Sequence, residues 1–217
     1  VAVLFNGRPL AISRLVGIAP AILETWFGGT EAGNGIADVL VGEYNPAGKL
    51  TMTFPRNEGQ IPIFYNAKNT GRPLKATDPD AKYVSRYLDI PNTPLFPFGF
   101  GLSYTKFNYS DLSVKVDGSK ISAKVTVSNT GKYDGEEVVQ LYVQDKVGCI
   151  TRPVKELKGF QKVWIKAGEA LDLHFSLKTE DLAFYRSDLE KSWEPGEFVL
   201  YIGTNSAETI SQTFEIK

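Results

Sequence analysis

Hydrophobic and polar positions follow different periods in the two halves of the chain. In the first half, residues 1–5 are a continuous apolar run, which predicts a strand buried on both faces, and residues 21–26 predict a second strand. A short amphipathic piece at residues 10–16 separates them. Thr30 is the expected N-cap of a helix, and Gly42 is expected just past its end. This alternation predicts parallel strands covered by helices, an α/β fold.

The middle of the chain loses this periodicity. Residues 50–54 alternate briefly and predict a short strand that Pro55 stops. From residue 56 to residue 92, Asn, Gly, Pro, Asp and Lys dominate. Such a long irregular run in a compact protein is usually functional or lies across a neighbour. We therefore expect residues 56–105 to be an irregular linker that crosses a part of the protein outside this chain.

The linker ends in an uncharged aromatic stretch at residues 94–105. It contains three Phe, two Pro and two Gly among its residues, which makes it too rich in Gly and Pro for a helix. It is also too apolar for an ordinary solvated linker. We expect this aromatic joint to be rigid, with its rings packed against structure on both sides.

In the second half, apolar residues alternate with polar ones at the two-residue period of half-buried strands. One strand is expected from residue 157 to about Trp164. Others are predicted by inward-facing sets, namely Ile121, Ala123, Val125 and Val127; Val139, Leu141 and Val143; Leu171, Leu173, Phe175 and Leu177; Phe198, Leu200 and Ile202; Phe214 and Ile216. About seven strands separated by turns predict an all-β sandwich of the fibronectin type III-like or Ig-like kind. The single cysteine, Cys149, excludes a disulfide-bridged immunoglobulin domain.

Composition narrows the class of protein. A chain of 217 residues with 42% hydrophobic and 23% charged residues fits one large domain or two small ones. A net charge of −1 without a basic cluster argues against nucleic acid or an anionic membrane as a partner. A doubly buried strand at residues 1–5 needs neighbours on both edges. We therefore expect the chain to be the C-terminal piece of a longer protein that supplies more of the same sheet.

A Gly-rich turn at residues 28–35 lies between the second predicted strand and the helix, where a phosphate-binding loop would lie. It lacks the G-x-G-x-x-G order and the Gly-Lys-Ser/Thr ending, and Glu31 would repel a phosphate, so we interpret it as a tight turn. Ligands nevertheless bind at the carboxyl ends of parallel strands. Trp26, Thr30 and Glu31 are therefore candidate substrate-binding residues, an aromatic ring with polar neighbours.

Two arginines of the irregular segment are further candidates for substrate binding. Arg72 and Arg86 lie near Asn69 and Tyr87, and loop side chains of this kind can reach into a neighbouring cleft. The alternative interpretation is that both are solvated or paired with carboxylates.

Other reactive residue types do not form a recognisable constellation. Glycoside hydrolysis needs two carboxylates about 5 to 9.5 Å apart, and the sequence brings no two of them to that distance. We interpret the acidic residues of the first half as capping or surface groups: Glu24, Glu31, Glu43 and Glu58. His174 has no second His or Cys nearby, which argues against a metal site, and Cys149 has no His partner nearby.

Several stretches, taken together and in order, resemble the C-terminal region of glycoside hydrolase family 3, of the periplasmic bacterial β-glucosidase type. The matching stretches are residues 23–34, 36–40, 45–50, 53–55, 69–73, 85–87, 96–105 and 152–160, and Pro195-Gly196. The resemblance covers essentially the whole chain.

The resemblance implies an architecture of a barrel, then an α/β sandwich domain, then a fibronectin type III-like domain. On that basis residues 1–55 are the C-terminal part of the sandwich domain, residues 56–105 the irregular linker with its aromatic joint, and residues 106–217 the last domain. The missing barrel and the first part of the sandwich domain would be its partners. A periplasmic or secreted location is also implied.

The resemblance further implies retaining hydrolysis of terminal, non-reducing β-D-glucosyl residues of oligosaccharides, without a cofactor or metal. The Asp nucleophile would lie on the barrel and the Glu acid/base upstream of Val1. We therefore assign no catalytic residue to this chain, and we expect the chain alone to be inactive.

Two alternatives remain open at this point. The protein is a β-xylosidase or another exo-glycosidase of the family, or it is a non-catalytic carbohydrate-binding or structural Ig-like module. An exposed row of aromatic rings on one sheet face would favour binding. We expect the aromatic residues to lie in the core and the joint instead.

Overall fold

The computed structural model describes residues 1–75, 77–78 and 80–217, and its first part is a small α/β unit. Strand β1 (Ala2–Leu4) is followed by helix α1 (Ser13–Ile18), strand β2 (Ile22–Glu24) and helix α2 (Ala32–Val41). The two strands are parallel, with Val3 opposite Leu23. This confirms the predicted α/β rhythm.

The start of helix α2 differs from the prediction. Thr30 is not the N-cap, because the Ala32 N–H bonds the Gly29 carbonyl and closes a turn over Thr30. Glu31 takes the N-cap position without a capping side-chain bond. Gly42 ends the helix as predicted, in the left-handed conformation with φ 85°.

Residues 50–54 do not form the predicted strand. Their backbone bonds the aromatic joint at both ends, from Leu50 N to Phe100 O at 2.7 Å and from Phe54 N to Phe96 O at 2.9 Å. Only Phe54 and Phe96 pair as an isolated bridge. A continuous ladder cannot form because Pro94 and Pro97 in the partner segment have no N–H to donate.

The linker holds a 3₁₀ helix (Glu58–Gln60) and the isolated bridges Lys68–Pro153 and Pro73–Ser85. It is anchored within this chain at Tyr65, whose hydroxyl accepts a hydrogen bond from the Leu157 N–H at 3.2 Å. No helix among the described residues is long and apolar enough to cross a membrane.

Residues from 107 onward form the predicted β-sandwich. Its elements are β3 (Phe107–Asp117), β4 (Lys120–Asn129), β5 (Gly135–Asp145), β6 (Glu156–Ile165), β7 (Ala170–Lys178), a 3₁₀ helix (Thr179–Leu182), the short pair β8 (Phe184–Tyr185) and β9 (Lys191–Ser192), β10 (Gly196–Gly203) and β11 (Thr209–Ile216). The larger sheet has the order β11-β10-β5-β6, and the smaller has the order β3-β4-β7.

The sandwich core is made of the side chains that alternate inward, among them Val125 and Val127 of β4, Leu141 of β5, and Leu200 of β10. Their phases match the predicted inward-facing sets, except at Leu171, which was predicted to face inward and is 41% exposed. Strand β3 was not predicted individually. A bulge between Ser110 and Ser113 shifts its register, so its apolar residues change phase midway.

Candidate functional site

The carboxyl ends of β1 and β2 are tied together at the start of a loop of residues 25–31, which we call the Trp26 loop. Thr25 donates from its N–H and from its hydroxyl to the Leu4 carbonyl, at 3.0 and 2.7 Å. Trp26 follows in the left-handed region with φ 49°, an uncommon conformation for an aromatic residue. Its N–H donates to Glu24 Oε1 at 3.0 Å, which holds this conformation.

Three of the predicted substrate-binding residues share the Trp26 loop. The Trp26 ring is half-buried and lies against Phe54, with ring centroids 5.9 Å apart. Thr30 and Glu31 are exposed, and Glu31 Oε2 accepts a hydrogen bond from Asn34 Nδ2 at 2.6 Å. The structure thus presents one supported ring beside two solvent-facing polar side chains.

The other two predicted residues lie on the linker. The Ser85 N–H bonds the Arg72 carbonyl at 2.8 Å, next to the Pro73–Ser85 bridge, which brings Arg72 and Arg86 to adjacent chains. The Asn92 side chain donates to the Ser85 carbonyl and accepts from the Tyr87 N–H. We call residues 72–73 and 85–87 the arginine arm. Both arginine side chains are exposed. They sit on a different segment from the Trp26 loop.

The candidate carboxylates of the first half are dispersed. Glu24 is half-buried, and its Oε2 has no hydrogen-bond partner among the described residues. Glu43 and Glu58 are exposed. Within the described part of the chain, no three His, Cys, Asp or Glu side chains are grouped as metal ligands. Cys149 is a free, exposed thiol.

The aromatic joint packs on both sides, as predicted. On one side, Trp26, Phe54, Phe96 and Phe100 form a continuous series of ring contacts, with successive centroids 5.9, 6.2 and 5.0 Å apart. On the other side, Phe98 stacks on Tyr65 with a centroid separation of 4.4 Å. The Trp26 ring therefore contacts Phe54, and Phe54 in turn contacts Phe96 of the joint.

A buried ion pair joins the α/β part to the β-sandwich, and the sequence did not predict it. Lys49 Nζ lies 3.0 Å from Glu137 Oε2, with side chains only 9% and 2% exposed. Lys49 also donates to the Thr204 hydroxyl at 2.9 Å. Tyr109 donates to Glu137 Oε1 at 2.8 Å. The signal in the sequence was the phase of Glu137, which alternates inward with Val139.

Burial and the neighbouring Glu137 charge raise the pKa of Tyr109 far above its ordinary value, so the Tyr109 hydroxyl stays a neutral donor to Glu137.

A second buried network lies next to the joint. Gln140 Nε2 donates to the Gly99 carbonyl at 3.1 Å and to the Thr204 carbonyl at 2.6 Å. Tyr142 donates to Gln140 Oε1. These bonds satisfy the polar groups that the joint buries.

One expectation about the aromatic residues is wrong. Phe160 and Trp164 belong neither to the core nor to the joint, because their side chains are 66% and 56% exposed. Both lie on the outward-facing positions of β6, opposite in phase to the buried Ile165. The sequence predicted this strand, but it did not show which side of the strand the sandwich covers.

Two family models match this chain, and known glycosidases are similar to it in sequence. The family model described as the glycosyl hydrolase family 3 C-terminal domain matches residues 1–104, and that of a fibronectin type III-like domain matches residues 137–206. A periplasmic beta-glucosidase of Salmonella typhimurium is 50% identical over 100% of this chain, which covers 29% of that protein. A beta-xylosidase of Formosa agariphila is 43% identical over 95% of this chain and is covered to 28%.

Solved structures of beta-glucosidases also superpose on this chain. The beta-glucosidase from Listeria innocua in complex with glucose superposes with a TM-score of 0.94 at 45% identity, over 98% of this chain and 30% of that one. The beta-glucosidase from Kluyveromyces marxianus in complex with glucose gives 0.82 at 34% identity, over 100% of this chain and 26% of that one. The chain thus spans less than a third of the length of these relatives.

Proposed function

The chain belongs to glycoside hydrolase family 3, and from this premise we propose that it is the C-terminal part of a retaining β-glucosidase. The reaction would release terminal, non-reducing β-D-glucosyl residues from oligosaccharides. The observation that carries the proposal is the 50% identity to a periplasmic beta-glucosidase over the whole chain, across both the α/β part and the β-sandwich.

The chemical step would use residues outside this chain. Retaining hydrolysis needs a nucleophilic carboxylate and an acid/base carboxyl about 5 to 5.5 Å apart. We place the nucleophile on a preceding barrel and the acid/base upstream of β1. The preceding barrel and the rest of the α/β domain would then be the partners of this chain.

The contribution of this chain to substrate binding would be the Trp26 loop and the arginine arm. A pyranose ring has an apolar C–H face that can stack on an aromatic ring, and its hydroxyls need polar partners. Trp26 offers the ring, and the side chains of Thr30, Glu31, Arg72 and Arg86 offer donors and acceptors. Phe54 packs against the Trp26 ring, and the hydrogen bond to Glu24 holds the Trp26 backbone.

Activity assays test the proposal. The purified 217-residue chain should release no 4-nitrophenol from 4-nitrophenyl β-D-glucoside, whereas the chain joined to its encoded preceding region should release it. In that longer protein, Trp26→Ala should raise KM and leave kcat nearly unchanged, because stacking binds ground state and transition state alike. Turnover by the short chain, free of host enzyme, would refute the assignment of the catalytic groups.

A β-xylosidase is the second candidate, favoured by the 43% identity to the Formosa agariphila beta-xylosidase. The ratio of kcat/KM values for the aryl β-glucoside and the aryl β-xyloside decides between the two. A periplasmic or secreted location is proposed from the periplasmic relative. Cell fractionation with an antibody against residues 106–217 would test it.

A non-catalytic role for the β-sandwich is compatible with either activity. Its buried contacts with the α/β part, above all Lys49–Glu137, support a bracing role within the enzyme.

A further inference from the structure

The outer face of β6, the edge strand of the larger sheet, presents two aromatic rings. Phe160, Lys162 and Trp164 alternate outward, while Val163 packs against the core and Ile165 is buried in it. The two aromatic residues are four positions apart, which separates them by about 13 Å at about 3.3 Å per residue. Both rings therefore face solvent in a line along one strand.

The surface between the rings is polar but electrically balanced. Lys162 Nζ lies 2.6 Å from Glu136 Oε2 on the neighbouring strand β5, where Glu136 is the register partner of Trp164. The Tyr44 hydroxyl donates to the same carboxylate at 2.9 Å. The hydrogen bond from Lys162 lowers the pKa of Glu136, so both groups stay charged near neutral pH and offset one another.

This face borders the contact with the α/β part. The register partner of Phe160 is Gln140, whose side chain bonds the Gly99 carbonyl of the aromatic joint. Tyr44, which bonds Glu136, lies directly after helix α2. A ligand along β6 would therefore lie at the edge of the joint between the two parts of the chain.

The size of the face favours a small ligand over another protein. At 150–250 Å² per aromatic side chain, the exposed parts of the two rings offer on the order of 200–300 Å². A stable protein interface needs about 800 Å² on each partner and a continuous apolar centre. Here an ion pair divides the two rings, so the face does not suit a second copy of the chain.

We propose that the outer face of β6 binds a neutral oligosaccharide several sugar units long. Phe160 and Trp164 stack on the C–H faces of two separate sugar rings, and Lys162, Glu136 and Tyr44 bond the hydroxyls between them. A charged ligand is disfavoured because Lys162 and Glu136 neutralise one another. The choice of a glucan as the ligand rests on the proposed β-glucosidase function. The face would hold longer glucans on the enzyme.

Isothermal titration of the 217-residue chain with cellohexaose and laminarihexaose tests the proposal. At least one hexasaccharide should bind, and Phe160→Ala/Trp164→Ala should weaken it at least about tenfold, the effect of losing about one aromatic contact. The disaccharides cellobiose and laminaribiose should bind about tenfold more weakly than the hexasaccharide, because they cannot reach both rings.

Two control variants distinguish this face from the other exposed aromatic side chains of the molecule. Phe64→Ala should retain hexasaccharide binding, because Phe64 is exposed on the linker and not on β6. Tyr185→Ala, at another exposed aromatic residue, should also retain it. Titration of the 217-residue chain needs no turnover, so its outcome is independent of the proposed glucosidase activity. Unchanged thermal unfolding of the double variant would show that its loss of binding is not misfolding.

Three results would overturn the proposal: no binding of either hexasaccharide, equal binding by the double variant, or loss of binding in either control variant. It would also fail if sedimentation showed a dimer that the double variant abolishes, since the face would then be occupied by a second copy. Protection of Trp164 from hydroxyl-radical oxidation in the longer enzyme without sugar would likewise assign the face to the preceding region.

Discussion

At the scale of single residues, the aromatic joint requires a glycine at position 99. Gly99 has φ 79°, and a Cβ at this position would lie 2.0 Å from Gln140 Oε1. Gln140 cannot move away easily, because its side chain bonds the Gly99 and Thr204 carbonyls. The glycine is thus required both by backbone conformation and by space.

Gly99→Ala should destabilise the chain by about 2–4 kcal/mol, the combined cost of a left-handed alanine and of overpacking. Gly168→Ala is the matched control, because its φ of 80° is nearly the same and nothing lies within 4 Å of its Cβ position. That variant should lose only about 1 kcal/mol. Urea unfolding measures both, and equal losses would contradict a steric role for Gln140.

Glu136 provides a pH-dependent prediction. Its pKa is lowered, first by the hydrogen bond from Lys162 and then by that from Tyr44. A lowered folded-state pKa stabilises the fold fully above the unfolded-state pKa, and this stabilisation is lost as pH falls through the lowered value. In an NMR titration, Lys162→Met should raise the pKa of Glu136 more than Tyr44→Phe does. The reverse order would contradict the assigned cause.

At the scale of elements, residues 50–54 hold the aromatic joint by hydrogen bonds and ring contacts, although they form no strand. Phe54 is 1% exposed, and its backbone bonds Phe96 while its ring lies against Trp26 and Phe96. This short stretch therefore fixes both the joint and the Trp26 loop. Its stability comes from ring packing rather than from a sheet ladder.

Phe54→Ala should cost about 3–5 kcal/mol, the usual loss for emptying a buried aromatic site. It should also shift the Trp26 fluorescence, measured in a background with Trp164 and Trp193 replaced by Phe. Phe64→Ala is the control, since Phe64 is largely exposed and should change the free energy of unfolding by less than about 0.5 kcal/mol. An unshifted Trp26 spectrum in Phe54→Ala would show that the loop does not rest on this ring.

At the scale of the whole molecule, two parts with unequal amounts of buried apolar surface are connected by a few buried contacts. The β-sandwich has a continuous core, whereas neither α1 nor α2 contains a buried residue. Lys49 and Glu137 connect them where water is excluded. Their arrangement favours one relative orientation because a displaced charge would remain buried and unpaired.

Lys49→Met should destabilise the chain by about 3–5 kcal/mol, because it leaves the Glu137 carboxylate buried without its cation. Lys124→Met, in the exposed pair with Asp172, should change the free energy of unfolding far less than Lys49→Met does. The double variant Lys49→Met/Glu137→Leu should recover much of the loss. Thermal and urea unfolding check all three, and equal effects of the two lysine variants would contradict a buried role for Lys49.

The proposed domain division predicts the order of proteolysis. Residues 106–217 should resist thermolysin as a folded sandwich, while residues 1–54 should be cut first, because their strands and helices bury little apolar surface. Mass spectrometry of the fragments gives the order of cleavage. Early cleavage within β4 or β5 would contradict the division.

The sequence alone determined the elements whose periodicity is local. The inward phase of Val125 and Leu141 and the stop at Gly42 follow from side-chain alternation and from backbone conformation, so the α/β rhythm and the β-sandwich could be predicted. The grouping of Trp26, Thr30 and Glu31 on one loop followed from their closeness along the chain.

Only the tertiary structure decided what depends on distant partners. Residues 50–54 alternate like a strand, but their partner segment contains prolines that prevent a ladder. Glu137 meets Lys49 across 88 positions, and Phe160 is exposed because the core lies on the other side of β6. Local patterns show which residues share a face, whereas long-range packing decides what that face meets.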